Sequence, residues 1–122
     1  MADHPLCATI AARLGLSPEP VASPETAYRF VAAAADPVAT GKRSLLLTHN
    51  KGAFIRPCPG TRHYTCCNYM ILHIGTFCVM DCAYCILQSY FHPPLLQYYV
   101  NQKDMMTALD TVFAERKIRR IG

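Results

Sequence analysis

Asn68-Tyr-Met-Ile-Leu-His-Ile-Gly75 runs straight into Thr76-Phe-Cys78-Val-Met-Asp-Cys82-Ala-Tyr-Cys85, and these two stretches set the reading of the whole chain. The first is an almost unbroken apolar run closed by a glycine. That composition suits a strand buried on both faces, as in a parallel sheet. The second puts three cysteines within eight residues, directly after the strand. A strand followed by a loop rich in ligating side chains is an α/β arrangement with its chemistry at the strand end.

On the C-terminal side, Cys85 to Tyr90 is expected to open a short helix that Pro93-Pro94 terminates. Leu96-Gln-Tyr-Tyr-Val100 reads as a second strand, and Asn101 as the cap of a helix with Met105, Leu109, Val112 and Phe113 at helical spacing. Ile118-Arg-Arg-Ile-Gly122 resembles the opening of a further strand. On the N-terminal side, Ser44-Leu-Leu-Leu-Thr48 and Ala53-Phe-Ile55 read as short strands about the turn Asn50-Lys-Gly52. Before them the sequence is helical. Leu6–Leu14 is stopped by Gly15, and a second helix begins at Ser23-Pro24 and runs to Ala35, ahead of Asp36-Pro37. The expected organisation is a helical N-terminal extension over residues 1–43 and an α/β core over 44–122. The core is expected to be truncated, because its final strand has barely begun.

Composition bounds the function. In 122 residues, 52% are hydrophobic and 16% charged, which fits one globular domain and excludes a disordered chain. The net charge of +4 is compatible with nucleic acid without arguing for it. The start, Met1-Ala-Asp-His-Pro, has neither the basic segment nor the apolar run of a secretory signal, and no apolar stretch is long enough for a membrane span. The expectation is a cytoplasmic protein without a membrane partner. Seven cysteines in a reducing compartment point to metal binding or catalysis rather than to disulfides.

The spacing Cys78-x3-Cys82-x2-Cys85 selects among metals. Zinc sites usually pair two CxxC elements, and ferredoxin runs supply a fourth cysteine. Three thiolates on one loop hold three irons of a [4Fe–4S] cluster and leave the fourth open. An open iron can take the amino and carboxylate groups of S-adenosylmethionine, whose reductive cleavage yields a radical.

Beyond those eight residues, Lys51-Gly-Ala-Phe-Ile-Arg-Pro-Cys-Pro-Gly60, Tyr64-Thr-Cys-Cys67, Cys78–Gln88, Tyr99-Val-Asn101 and Arg120-Ile-Gly122 together resemble the spore photoproduct lyase family of radical S-adenosylmethionine proteins. The resemblance spans residues 44–122. It implies the first β/α units of a partial (β/α) barrel, with Cys78, Cys82 and Cys85 on the [4Fe–4S] cluster and Tyr84 against the adenosyl part of S-adenosylmethionine. It also implies radical cleavage of a thymine photodimer, a DNA-repair lysis of carbon–carbon bonds. The implied partners are DNA containing a pyrimidine photoproduct, an electron donor such as a flavodoxin or ferredoxin, and the C-terminal part of the barrel. In the family that part holds the cofactor's amino group, a hydrogen-donating cysteine and the DNA-contacting surface. Two other readings stay open: a non-catalytic iron–sulfur or zinc module, and an inactive fragment of a split gene.

Other residues carry weaker signals. Cys58, Cys66 and Cys67 with His63 read either as a second metal site or as small buried hydrophobes. Cys7 lies on an apolar helical face and reads as core. His49, His73 and His92 are isolated, with His73 expected on the buried strand. The run Arg116-Lys-Ile-Arg-Arg120 reads as a solvated helix end more readily than as a phosphate contact.

Overall fold

Three helices of the chain start on a proline, and each proline follows a residue in extended conformation. A computed structural model describes residues 4–60, 63, 69–80 and 82–115, and the elements below are those of the described residues. Helix α1 is Pro5–Leu14, α2 is Pro24–Ala32 and α3 is Pro37–Arg43. Proline fits the first helical position because its missing N–H would have no intrahelical partner there. His4 Nδ1 accepts the Leu6 N–H at 3.2 Å, and Asp36 Oδ1 accepts the Ala39 N–H at 2.9 Å. Ser23 is extended but makes no side-chain cap bond. Gly15 closes α1 in the left-handed region, at φ 63°. Helix α3 was not expected. Its start, Asp36-Pro37, repeats the logic of Ser23-Pro24, and the second helix ends at Ala32 rather than Ala35.

The strands are β1 (Leu45–Thr48), β2 (Ile55–Pro57), β3 (Met70–Leu72), β4 (Gly75–Thr76) and β5 (Leu96–Tyr99); α4 (Leu87–Tyr90) is a single turn and α5 is Gln102–Ala114. The result is a mixed α/β protein with a three-stranded sheet, ordered β1-β5-β4, and a separate β2–β3 hairpin. No barrel is present among the described residues. Strands β1 and β5 are parallel, with Leu45 beside Leu96 and Thr48 beside Tyr99, while β4 runs antiparallel to β5.

Two strand expectations need correction. The run from Asn68 to Gly75 is not one strand buried on both faces. Met70–Leu72 pairs antiparallel with β2, and Gly75–Thr76 joins the other sheet. The His73 N–H goes to the Phe54 carbonyl at 2.8 Å and finishes the hairpin, leaving Ile74 exposed. The strand after Asn50-Lys-Gly52 does not fold back on β1 but pairs with β3. The β4-to-β5 connection also fails to make the expected parallel crossover. Its helix is one turn long, too short to carry the chain across a sheet face. Gly75 is needed here as an interior residue: a Cβ on it would run into the Gln97 carbonyl oxygen.

The chain divides into two compact units. One comprises the segments up to His49 and Gly75–Val100, the other Asn50–Ile74 and the segment from Asn101 on. The first unit therefore holds α1, α2, α3 and the three-stranded sheet. Its core is Val31, Leu46 and Leu95, with Ala27 and Tyr28 packed on it. Burying each of these large side chains contributes about 1.5–3 kcal/mol. The Tyr28 hydroxyl donates to Gln97 Oε1 at 3.2 Å, tying α2 to β5. Cys7 is buried, in agreement with its expected place in the core.

In the second unit Phe54 is buried. Asn101 precedes α5 but its side chain makes no cap bond to the helix. Instead its Oδ1 accepts the Asn50 N–H at 3.0 Å, and its Nδ2 donates to the Asn50 carbonyl at 3.1 Å and to Asp104 Oδ2 at 2.8 Å. Of the expected apolar face of α5, Met105, Leu109 and Val112 are half-buried and Phe113 is exposed.

Candidate metal centre

The cysteine loop begins where β4 ends. Phe77 takes a left-handed conformation at φ 66°, which costs a non-glycine residue about 1 kcal/mol and swings the chain out of the sheet. Its ring meets that of Phe91 edge to face, with centroids 6.3 Å apart, so the two ends of the loop close against each other. Thr76 Oγ1 donates to the Leu95 carbonyl at 3.4 Å on the same side.

Cys78, Cys82 and Cys85 are all half-buried. The Met80 N–H points at Cys78 Sγ, at 3.4 Å. Amides aimed at sulfur tune the sulfurs of iron–sulfur sites. The Cys85 N–H donates to the Cys82 carbonyl at 3.0 Å, so the second and third cysteines flank a tight turn that leads into α4. Asp81 lies outside the described residues.

Around these thiols the loop is uncovered. Tyr84 is 92% exposed, and Val79, Met80, Ile86 and Tyr90 are exposed as well. Tyr84 is therefore no part of a packed core. Among the described residues no three ligating side chains converge as a metal site. The donors match a three-thiolate cluster in kind and number and sit on one segment, and closing a cage around iron would couple metal uptake to ordering of the loop. A cleft of about 500 Å³ bordered by Thr26, Phe30, Arg43 and Leu46 contains none of the three cysteines.

The loop is held by an element that no sequence pattern marked. Lys42, in the last turn of α3, donates from Nζ to the Met80 carbonyl at 3.0 Å. The neighbouring Gly41 is buried against the Pro94 carbonyl. Two consecutive residues of α3 thus reach both ends of the segment joining β4 to β5. The clue available in the sequence was the pair Asp36-Pro37, which announces α3.

Cys58 is half-buried, its N–H on the Tyr69 carbonyl at 2.8 Å, and His63 is exposed with φ 74°. Cys66 and Cys67 lie outside the described residues, as does Arg116–Arg120. His73 is half-buried beyond the end of β3, and the exposed His49 ring meets His4 edge to face at 6.3 Å. His92 Nε2 lies 2.8 Å from the Ser89 carbonyl. Among the described residues no helix is long and apolar enough to cross a membrane. No protein-family model matches the chain, and neither a curated protein nor a solved structure matches it.

Proposed function

We propose that Cys78, Cys82 and Cys85 bind a [4Fe–4S] cluster that works with S-adenosylmethionine, and that the chain belongs to a radical lyase acting on a pyrimidine photoproduct in DNA. The observation that supports this reading is the loop between β4 and α4. It carries all three thiols, half-buried, with the Met80 amide already directed at Cys78 Sγ. On this reading β1 and β5 are the first parallel strands of a partial (β/α) barrel.

When bound, the cluster and S-adenosylmethionine supply a one-electron source and a hydrogen-abstracting group. The chain's own contribution is to gather three thiolates and orient the loop. Phe77 turns the backbone out of the sheet, the Phe77–Phe91 contact closes the loop's base, and the Cys82–Cys85 turn sets the spacing of the last two donors. On this reading the exposed Tyr84 ring lies against the adenosyl group, and the exposed loop meets an electron donor such as a flavodoxin or ferredoxin.

A second reading, a metal-binding module without catalysis, draws on the same exposure. Radical chemistry requires that water be kept away, and Tyr84, Val79 and Ile86 are uncovered among the described residues. Anaerobic reconstitution with iron and sulfide separates the two. The radical-enzyme reading expects about four irons per chain, a spectrum altered by S-adenosylmethionine, and release of 5′-deoxyadenosine on reduction. Metal uptake with neither of the latter two results would establish the module instead. Alanine at Cys78, Cys82 and Cys85 leaving iron content unchanged would remove both.

A further inference from the structure

We propose that Lys42 is a positioning residue of the cysteine loop: by holding the Met80 carbonyl it keeps the Met80 amide on Cys78 Sγ and so pre-arranges the first of the three iron donors. The inference rests on the cluster reading above and extends it to a residue far from the cysteines in sequence.

Met80 is gripped on both sides. Its N–H is on Cys78 Sγ at 3.4 Å and its carbonyl is on Lys42 Nζ at 3.0 Å. These groups belong to the two peptide planes that flank the Met80 Cα, so together the two bonds restrict both of its soft dihedrals. Loosening the carbonyl side frees the other plane to rotate, and the amide then leaves the sulfur. The Met80 side chain is exposed and contributes little to holding this geometry. Lysine suits the task because its ammonium gives a charge-assisted bond.

The lysine is itself anchored. Gly41 beside it is pressed against the Pro94 carbonyl, where no side chain fits. Asp36 caps the start of the same helix through the Ala39 N–H. The last turn of α3 therefore cannot slide away from the loop without giving up the Gly41 contact.

The test compares Lys42→Met, Lys42→Gln and Lys42→Arg in the full chain, after thermal melting has shown that each folds. In metal-free protein, hydrogen exchange at the Met80 amide is expected to be roughly three- to tenfold faster in Lys42→Met. Lys42→Arg, which keeps a charged donor, is expected to stay within about twofold of the parent. Lys42→Gln keeps a neutral donor and should fall between them. In reconstituted protein, iron loss to a chelator should follow the same order. Unchanged exchange, unchanged iron loss, or no rescue by arginine would each overturn the proposal. If the parent chain takes up no iron, the cluster reading fails on its own, and the exchange rates alone decide whether Lys42 tethers the loop.

Discussion

Gly41 lies so close to the carbonyl oxygen of Pro94 that no Cβ fits between them. The contact presses α3 onto the stretch that follows the cysteine loop, and it involves backbone, which cannot swing aside as a flexible side chain would. Gly41→Ala is therefore expected to lose about 2–4 kcal/mol of stability, as a lowered urea midpoint with an unchanged slope. Gly15→Ala makes a useful contrast. Nothing stands within 4 Å of its would-be Cβ, but its φ of +63° is unfavourable for alanine, so about 1 kcal/mol should be lost.

Leu95 is 2% exposed and packs with Val31 and Leu46. Leu95→Ala should cost about 2–5 kcal/mol, a large share of what so small a core can hold. Leu16→Ala, at an exposed position, should cost less than about 0.5 kcal/mol by the same urea titration.

Asn101 brackets Asn50 from both sides, accepting its N–H and donating to its carbonyl. Asn101→Ala should lower stability by about 1–3 kcal/mol. Asn101→Asp should do no better, because a carboxylate cannot donate to the Asn50 carbonyl and would face Asp104. A cap residue would give the opposite ranking, since aspartate is an excellent cap.

Cys7→Ser separates structural sulfur from ligating sulfur. The residue is buried in α1, so a hydroxyl there should cost about 1–3 kcal/mol. Iron content after reconstitution should equal that of the parent chain, whereas Cys82→Ser should bring it down sharply. Iron analysis and thermal melting on the two variants read the difference.

Asp36→Ala should remove about 1 kcal/mol through loss of the bond to the Ala39 N–H. Because α3 carries Lys42, the same variant should also quicken exchange at the Met80 amide.

Much of this was legible locally. Proline at a first helical position marked α2, Leu96–Val100 read as the strand that contains β5, and three cysteines at fixed spacing marked the loop. Those signals lie within a few residues of each other, where local sterics and ligand geometry operate. Most of the misreadings involve partners distant in sequence. Asn68–Gly75 is uniformly apolar, and nothing in it says that His73 must end one sheet's pairing and Gly75 begin another's. The alanines before Asp36 continued a helical pattern and hid the fresh start at Pro37. Lys42 was invisible because its role depends on a carbonyl 38 positions away. An isolated lysine on a short helix carries no mark of what its ammonium will meet.

The pairing of Leu45 with Leu96 has a consequence for biosynthesis. Strand β1 emerges early, but its neighbour is delivered only after about fifty further residues, a span that includes a complete hairpin. Closing so distant a contact is slow compared with forming the hairpin, whose connection is much shorter. During translation the first three helices should therefore linger without a sheet to rest on, Val31 and Tyr28 open to chaperones or to neighbouring nascent chains. Only the arrival of Leu95 and Leu96 would release them.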